Sequence, residues 1–308
     1  MKALRLFGSR GDEKLCLDEI PIPLAGAGEV LIRVHATALT PGELGWYPTW
    51  HTSRHDPRLY AVPGHEFSGT IEEIGTDVKG LEKGAAVYGL NNWFIDGAAA
   101  DYCITTPAEI APKPTTIDHI QAAVVPISGL TAWQALFDHG SLQAGQKVLI
   151  HGGAGGVGSF AIQLAAWKGS FVSTTVSEAN MQFALELGAS EVIDYRKTKF
   201  EEVVKDADLI LDLIGGNTLN RSFAAVKEGG RVVTIASSSE STDQPKVKAA
   251  FFIVQANQEQ LRELAKLIDT GILRPVVSDV RPLEAAAEAH LLTKKTGPGK
   301  VSLRVLTE

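Results

Sequence analysis

A glycine-rich turn between a predicted strand and a predicted helix limits the possible folds of this chain more than any other feature. The apolar strand KVLIHG (147–152) runs directly into the sequence GAGGVG, and a helical pattern follows as far as Lys168. A turn without side chains lets a pyrophosphate approach the backbone, and the helix N-terminus supplies free N–H groups and a positive dipole end. In this strand–turn–helix context, G-x-G-x-x-G predicts a dinucleotide site, and a purely structural tight turn is the alternative. The predicted contacts are Gly153, Ala154, Gly155, Gly156, Val157 and Gly158.

The patterns before and after about residue 118 differ, and they predict two domains in this chain of 308 residues. The first part shows short strands separated by Gly, Pro and Asp clusters, which is typical of a small β-barrel or sandwich. These strands are expected at 2–7, 29–39, 67–74, 84–90 and 100–106. The second part alternates apolar strands with amphipathic helices, which indicates a doubly wound parallel sheet.

The last part of the chain begins and ends in predicted strands, RPVVSDV and KVSLRVL, with a helix over 282–293 between them. These strands are expected to return to the first domain. The predicted domains are therefore a catalytic β domain at 1–120 that resumes at 272–308, and a nucleotide-binding domain at 121–271, closed by a helix over 257–270. A strand AAFFIV is predicted at 249–254.

Charge and cysteine content argue against several classes of protein. The net charge of −7 disfavours binding to nucleic acid or to an anionic membrane, since both need clustered cations. Two cysteines outside any CxxC motif fit a reducing compartment, so we expect a cytoplasmic protein. Residues 148–167 carry no Asp, Glu, Lys or Arg, but their glycine turn favours a buried strand–loop–helix over a membrane span.

The second strand of the parallel sheet favours NADP(H) over NAD(H). An NAD site carries an acidic residue about 20 positions beyond the first glycine, where it binds the ribose hydroxyls. Here that region reads STTVS (173–177), and the first acid is Glu178. Thr175, Ser177 and Tyr195, with Arg196, could form a pocket for a 2′-phosphate. The alternative is that the hydroxyls only cap the following helix.

Seven segments together resemble the zinc-independent quinone oxidoreductase (zeta-crystallin-like) branch of the medium-chain dehydrogenase/reductase superfamily. They are PGHEFSGTI (63–71), SGLTAWQAL (128–136), HGGAGGVGSFAIQLA (151–165), ELGASEVIDY (186–195), DLIGGNTLNRSF (212–223), KEGGRVVTI (227–235) and TGPGKVSL (296–303). The resemblance covers essentially the whole chain. It implies a GroES-like β-barrel catalytic domain, a Rossmann domain and a homodimer.

The residues expected to bind zinc in related alcohol dehydrogenases are incomplete here. His65 stands in a GHE motif, but the segments expected to hold the other ligands, ALTPGEL (38–44) and 126–128, contain no cysteine. One imidazole and one carboxylate cannot form a three-ligand catalytic site. We therefore predict no metal, with His65 a hydrogen-bonded structural residue.

Without a Lewis acid, hydride addition to a conjugated system is easier than simple ketone reduction. The resemblance accordingly implies NADPH-dependent reduction of quinones or of the C=C bond of 2-alkenals and other enones. Alternatives are an enoyl-thioester reductase and a non-catalytic NADPH-binding sensor or structural protein. We expect Thr40, Tyr47 or Thr131 to meet the substrate oxygen, although Thr40 stands where relatives often have Asn in N-P-x-D. Tyr47 could instead be a packing aromatic, and Trp46, Trp50 and Tyr60 could line an apolar mouth or pack internally.

The resemblance also implies further contacts to the cofactor. The residues concerned are Thr131, Ile214, Ala236, Phe252, Val254 and Lys300. Phe252 and Val254 could instead be sheet core, and Lys300 could be a solvated lysine. The histidines at 51, 55, 119, 139 and 290 show no ligand-like spacing and are expected at the surface. His151 could line the cofactor site or pack beside it.

Overall fold

The computed structural model describes residues 1–40, 42–236, 239, 243–292 and 297–306. Pro41 and Thr296, which belong to motifs quoted above, lie outside these residues, as does position 293 at the end of a predicted helix. The chain divides into two compact units. The β unit comprises Met1–Ile127, Ala256–Thr270 and Pro275–Glu308, and the α/β unit comprises Ser128–Gln255 and Gly271–Arg274. The sequence-based boundaries at 120 and 271 stay a prediction.

The described residues form strands and helices that are numbered here in chain order. The strands are β1 (Lys2–Ser9), β2 (Asp12–Glu19), β3 (Val30–Ala38), β4 (Glu66–Ile74), β5 (Ala86–Leu90), β6 (Tyr102–Thr105), β7 (Ile110–Pro112), β8 (Lys147–His151), β9 (Phe171–Val176), β10 (Glu191–Asp194), β11 (Ala207–Asp212), β12 (Val226–Thr234), β13 (Val277–Pro282) and β14 (Lys300–Arg304). The α-helices are α1 (Tyr47–Trp50), α2 (His119–Ala123), α3 (Pro126–Trp133), α4 (Gly156–Trp167), α5 (Met181–Glu186), α6 (Phe200–Val203), α7 (Gly216–Ser222), α8 (Pro245–Ala250), α9 (Gln258–Asp269) and α10 (Ala286–Leu292).

The β unit is built on a seven-stranded sheet with the order β13-β14-β3-β4-β5-β7, in which β6 also pairs with β3. A separate hairpin joins β1 to β2. Alternate side chains of β3 and β4, such as Ile32, Phe67 and Ile71, enter one apolar cluster because one face of each strand is buried. On β14, Val301 and Leu303 pack with Leu4 in a second cluster. The end of the chain therefore completes a unit that begins at residue 1.

The α/β unit holds five parallel strands in the order β10-β9-β8-β11-β12. Val148, Leu149 and Ile150 of the central strand β8 are at most 1% exposed, as expected for a parallel strand covered on both faces. The chain passes from β8 through α4 to β9 on one side, and β11 lies on the other side. This reversal of strand order beside β8 is where open α/β sheets bind ligands. The predicted doubly wound parallel sheet is confirmed.

The segment AAFFIV is not the strand that the sequence predicts. Helix α8 begins with Pro245 as its first residue and extends to Ala250. Only Phe251 then makes a single parallel bridge, to Thr234. A proline with its fixed φ is well suited to a first helical turn, and this outweighs the strand preference of the apolar run that follows.

The helix predicted over 257–270 exists as α9, but it belongs to the β unit and not to the nucleotide-binding unit. Its contacts explain the difference. The buried Tyr88 hydroxyl donates to the Leu261 carbonyl. The side chain of Gln258 donates to the carbonyls of Pro107 and Ile110, at 2.7 and 2.9 Å.

The structure also contains two strands that the sequence did not predict, and it divides one predicted helix into several parts. Strands β2 and β7 have no counterpart in the sequence-based assignment. The sequence shows a helical pattern from about Asp118 to His139, which predicts one helix; the structure divides this stretch into α2, α3 and a π-helical segment Gln134–His139. No helix among the described residues has the length and apolar character needed to cross a membrane.

Candidate functional site

The glycine turn after β8 is as tightly packed as the motif requires. Gly152 has φ +78°, and its N–H donates to the Thr175 carbonyl at 3.1 Å. A Cβ on Gly153 would lie 2.1 Å from Thr174 Oγ1, and one on Gly158 would lie 2.3 Å from the Gly152 carbonyl oxygen. Larger residues at these two positions would push the turn away from β9 and from α4. The turn and the 12-residue helix α4 behind it form the cradle that a pyrophosphate needs.

A cavity of about 440 Å³ opens beside this turn. Six residues that the sequence predicts as cofactor contacts line it: Ala154, Gly155, Thr175, Ser177, Tyr195 and Ile214. Gly153, Gly156, Val157 and Gly158 form the turn and the first turn of α4 without lining the cavity itself. The carboxyl ends of β8 and β9 and the loop after β11 thus converge on one cavity, and its residues fit an adenine dinucleotide.

The hydroxyl of Thr175 is already hydrogen-bonded within the wall of the cavity. Its hydroxyl lies 3.1 Å from Nδ1 of His151, and Nε2 of His151 lies 3.1 Å from the Ser222 hydroxyl. Ser222 itself donates to the Thr218 carbonyl at 2.8 Å, so it accepts from Nε2 of His151. Nδ1 must then accept the proton of Thr175, which leaves that hydroxyl no proton for a phosphate. His151 is fully buried, and its two hydrogen bonds connect Thr175 with Ser222 in the wall of the cavity.

Ser177 and Tyr195 are free to act as donors. The Asn180 amide donates to the Ser177 hydroxyl at 3.2 Å, which occupies a lone pair of the oxygen and leaves the serine proton available. Tyr195 is 57% exposed, and the guanidinium of Arg196 lies 5.5 Å from the centre of its ring. These side chains stand at the ends of β9 and β10, and none of the described residues that line the cavity carries a carboxylate.

Asp212, which the sequence motifs did not single out as a site residue, holds the loop after β11 that reaches the cavity. Its carboxylate accepts the N–H of Gly215 at 2.9 Å and the hydroxyl of Thr234 at 2.8 Å, and it is fully buried. Burial raises the pKa of Asp212, and these hydrogen bonds oppose the rise. The carboxylate fixes the loop that presents Ile214. Its signal in the sequence was an acid at the end of an apolar strand in DLIGG.

Arg221 also lines the cavity and was not predicted. Its guanidinium makes a two-pronged pair with the Glu201 carboxylate and lies 4.9 Å from the centre of the Phe200 ring. Among the described residues that line this cavity, Arg221 is the only lysine or arginine.

The other predicted cofactor residues of the α/β unit do not line this cavity. Thr131, on α3, is 3% exposed, and Ala236 is half-buried beyond β12. Phe252 is buried with its ring stacked on His139 at 4.3 Å, and Val254 is buried nearby in sequence. Their predicted contacts with a cofactor stay a prediction.

In the β unit, Glu43 and His65 form a buried pair. Nδ1 of His65 lies 2.6 Å from Glu43 Oε1, which also accepts the Gly64 N–H at 2.8 Å. Nε2 of His65 lies 3.1 Å from the Ile95 carbonyl oxygen. Burial acts to raise the pKa of Glu43, but His65 and the Gly64 N–H more than offset it, so the pKa lies below its usual value.

Lys300 and Glu66 form a second buried pair, and Glu66 directly follows His65 in the sequence. The Lys300 ammonium donates to Glu66 and, at 3.0 Å, to the hydroxyl of Thr40. Glu66 also accepts the Ile127 N–H at 2.9 Å. Lys300 is 7% exposed, so it is not a solvated lysine. Two of its three N–H groups are directed at these oxygens, and its predicted contact with a cofactor stays a prediction.

These residues do not fit a zinc ion. Both ring nitrogens of His65 already face oxygen atoms of the protein, so neither is directed at an open metal position. Thr40 lies in the segment 38–44 where a first zinc ligand is expected, and its oxygen accepts from an ammonium. No group of three or more His, Cys, Asp or Glu side chains arranged to hold a metal occurs in the described part of the chain.

The aromatic residues of the 43–60 segment divide into two groups. Tyr47 is 41% exposed, stacks on His51 at 4.2 Å and hydrogen-bonds Nδ1 of His55 at 2.9 Å. Trp50 is held by a 2.7 Å bond from its indole N–H to the Leu44 carbonyl, and the ring of Tyr60 packs on Phe7. Trp50 is therefore half-buried and fixed through its indole, whereas Tyr60 packs on Phe7 but is 46% exposed.

Two of the histidines expected at the surface, His119 and His290, are half-buried, and burial lowers the pKa of both. His119 bonds the Ser68 hydroxyl at 2.8 Å, and its ring lies 4.1 Å from that of His35. Burial first, and then the neighbouring His35, lowers the pKa of His119 to about 4.

Comparison with known proteins finds two matching family models. The alcohol dehydrogenase GroES-like domain matches residues 26–115, and the zinc-binding dehydrogenase model matches residues 187–301. The chain is 33% identical to a probable zinc-binding oxidoreductase, mitochondrial, of Arthroderma benhamiae, over 93% of this chain and 91% of that protein. It is 29% identical to human quinone oxidoreductase, over 94% and 93% of the two chains. It is 31% identical to tomato 2-methylene-furan-3-one reductase, over 85% and 67%.

Solved structures agree with these relatives. The quinone oxidoreductase from Coxiella burnetii superposes with a TM-score of 0.88 at 32% identity, covering 99% of both chains. A mycobacterial protein complexed with NADPH superposes with a TM-score of 0.84 at 26% identity, covering 99% of this chain and all of that one. The predicted fold class, with its GroES-like domain and parallel sheet, is confirmed.

Proposed function

Because the chain belongs to the medium-chain dehydrogenase/reductase family, whose members are oxidoreductases, we propose that it is a zinc-independent, NADPH-dependent reductase. Its substrate is a quinone or an α,β-unsaturated carbonyl compound whose C=C bond is reduced. The observation that carries the proposal is the glycine turn beside a cavity whose described lining residues include several hydroxyl groups and no carboxylate. Relatives named as a quinone oxidoreductase and as a reductase of a methylene-furanone support both substrate classes.

The preference for NADPH rests on Ser177 and Tyr195. Both present hydroxyl groups to the cavity, and the Arg196 guanidinium lies 5.5 Å from the centre of the Tyr195 ring, while Arg221 at the cavity is paired with Glu201. A 2′-phosphate is well matched by hydroxyl donors and guanidinium groups, whereas a carboxylate at the end of β9 would repel it. The relative that was solved with NADPH is consistent with this preference.

Zinc independence rests on the donors of the β unit. A metal at this place would have to displace the Lys300 ammonium from Thr40 and free a nitrogen of His65 from its partner. Both changes would leave a buried charge or a buried polar atom without its hydrogen bond, which is costly.

When bound, the reduced nicotinamide supplies a hydride to the substrate. The protein must then hold the substrate, keep water away and offer a donor to the oxygen that gains negative charge. Thr40, Tyr47 and Thr131 are the proposed donors. A conjugated acceptor suits such a site because hydrogen bonds alone can stabilise its delocalised enolate or semiquinol oxyanion.

The experiment is a turnover assay with purified protein, NADPH or NADH, and two substrate panels: 1,4-quinones and short 2-alkenals. We expect loss of absorbance at 340 nm with NADPH, a higher KM for NADH, and no effect of a chelator. Tight NADPH binding without turnover on either panel would instead indicate the non-catalytic NADPH-binding protein. Turnover only with enoyl-CoA esters would indicate an enoyl-thioester reductase. The homodimer and the cytoplasmic location stay predictions from the sequence.

A further inference from the structure

The Thr40 hydroxyl is held by a buried cation that the family-based assignment does not connect with it. Lys300 Nζ lies 3.0 Å from Thr40 Oγ1, and the two side chains come from positions 260 residues apart. Thr40 is 8% exposed and Lys300 is 7% exposed, so bulk water screens the contact poorly. An ammonium has donors only, so Thr40 must be the acceptor in this bond.

The hydrogen bond that the Thr40 hydroxyl accepts from Lys300 determines which role is left for the proton of that hydroxyl. One lone pair of Oγ1 is occupied, and in the described part of the chain the only partner found for this hydroxyl is Lys300. The threonine proton remains available for another acceptor. A hydroxyl that accepts from a cation is also a stronger donor, because each hydrogen bond in a chain polarises the next.

Glu66 holds the cation in place without removing its effect. Its carboxylate is fully buried and accepts from both Lys300 and the Ile127 N–H. Lys300 is therefore anchored from one side and directed at Thr40 from the other.

We propose that Lys300 is a positioning residue that orients and polarises the Thr40 hydroxyl, so that Thr40 donates to the carbonyl oxygen of the substrate. The proposal rests on the proposed function, and it selects Thr40 among the three candidate donors. Thr40 keeps its proton in this role: the hydride goes to the β carbon of the enone, a solvent proton completes the product, and the hydrogen bond stabilises the oxyanion between these steps. The Lys300–Thr40 pair thus takes the place of a Lewis acid.

The first test is a set of variants in the full-length protein. Thr40→Val removes the donor, and Thr40→Ser keeps it. Glu66→Gln/Lys300→Met removes the cation together with its counter-charge, so that no buried carboxylate is left unpaired. Thr49→Val is the matched control, since it deletes another buried threonine hydroxyl of the β unit, bonded to the Glu43 carbonyl at 2.7 Å.

We expect Thr40→Val to lower kcat for 2-alkenals by about 100-fold, a typical loss for one oxyanion donor, and Thr40→Ser to restore most of it. The double variant should lower kcat by about tenfold, with the Kd for NADPH unchanged. Adding Thr40→Val to the double variant should cause no loss beyond that of Thr40→Val alone. A full, additive loss would overturn the proposal, because it would mean that Lys300 does not act through Thr40.

A spectroscopic test keeps this inference separate from the proposed activity. The probe is 4-dimethylaminocinnamaldehyde, whose absorption shifts to longer wavelength when its carbonyl oxygen accepts a strong hydrogen bond, added to the protein with NADP⁺ so that no hydride is transferred. We expect the shift with the unaltered protein and with Thr49→Val, a smaller shift with the Glu66→Gln/Lys300→Met variant, and none with Thr40→Val. If the unaltered protein turned over no substrate but showed this pattern, the proposed activity would fail and the Lys300–Thr40 pair would stand. A shift that persists in Thr40→Val would overturn the pair whatever the activity.

Discussion

Ser177 offers the sharpest test of cofactor preference, because it lines the cavity at the end of β9 with a proton to donate. Ser177→Asp would place a carboxylate where a 2′-phosphate is expected, and the same carboxylate could accept from free ribose hydroxyls. We expect the Kd for NADPH to rise at least about tenfold, equivalent to ~1.4 kcal/mol, while the Kd for NADH stays level or falls. Titration of nicotinamide fluorescence measures both. Ser177→Ala is the matched control and should shift both values only slightly; equal weakening of both cofactors by the aspartate would contradict the assignment.

His151 should make stability depend on pH in a defined window. Burial, and then the charge of Arg221, lowers its pKa to about 4, against about 6.5 in the unfolded chain. Above pH ~6.5 neither state protonates it, but between about 6.5 and 4 only the unfolded chain binds the proton, so stability falls as the pH falls. The loss from this residue is at most about 3 kcal/mol.

Urea unfolding at pH 7.5 and pH 4.5 checks the His151 prediction. His151→Gln should be less stable than the unaltered protein at pH 7.5, since it loses part of the hydrogen-bonded chain, but it should lose less stability on acidification. His139→Gln, at an exposed position, should show the same acid sensitivity as the unaltered protein. Identical acid sensitivity in His151→Gln would refute the assignment.

At the scale of single elements, the sequence predicts those strands whose own side chains alternate or form a continuous apolar run. Strand β3 is of the first kind and strand β8 of the second, and the ends of both were predicted to within about two residues. Strand β2 was missed because its sequence, DEKLCLDE, buries no side chain fully; it exists through its pairing with β1. The segment AAFFIV was wrong because a short apolar run does not distinguish strand from helix end.

Where an element packs against residues that are distant in sequence, its position in the fold could not be predicted from its own sequence pattern. The apolar face of α9, with Leu261, Leu264 and Leu267, predicts a helix that packs on something, but not on which unit. The site shows the same limit. The glycine turn is local and was predicted with its cavity contacts, whereas the Lys300–Glu66 pair joins positions 234 residues apart, and no spacing rule connects them.

We expect one buried hydrogen bond, between Tyr88 and Leu261, to stabilise the packing of helix α9 in the β unit. Tyr88→Phe removes the hydroxyl that donates to the Leu261 carbonyl but keeps the buried ring. We expect a loss of about 1–2 kcal/mol in the free energy of unfolding, the usual result of deleting one buried hydrogen bond. Urea denaturation measures the loss. Tyr60→Phe is the control, since Tyr60 is 46% exposed and its ring contacts survive the change; an equal loss in the two variants would show that the Tyr88 bond contributes nothing special.

For the whole molecule, the decisive feature is that the β unit is assembled from both ends of the chain. Strand β14 lies between β13 and β3 in the sheet, and its Val301 and Leu303 complete the apolar cluster that contains Leu4. Lys300 also neutralises the fully buried Glu66 carboxylate. Residues 1–127 alone would therefore lack two strands, helix α9 and the counter-charge of a buried acid.

We accordingly expect a fragment ending at Ile127 to remain unfolded or only loosely collapsed. Each missing part leaves apolar surface or a buried charge uncompensated, and the sum exceeds the ~5–15 kcal/mol by which a domain is normally stable. The measurement is urea denaturation followed by near-ultraviolet circular dichroism, with the full chain as the reference: the full chain should give a cooperative transition and the fragment none. Introducing Glu66→Gln into the fragment removes the unpaired charge, and it should still not restore a cooperative transition, because the missing strands leave the sheet and its core incomplete. A cooperative transition in the unaltered fragment would show that residues 1–127 form an independent domain and that the C-terminal strands are an addition to it.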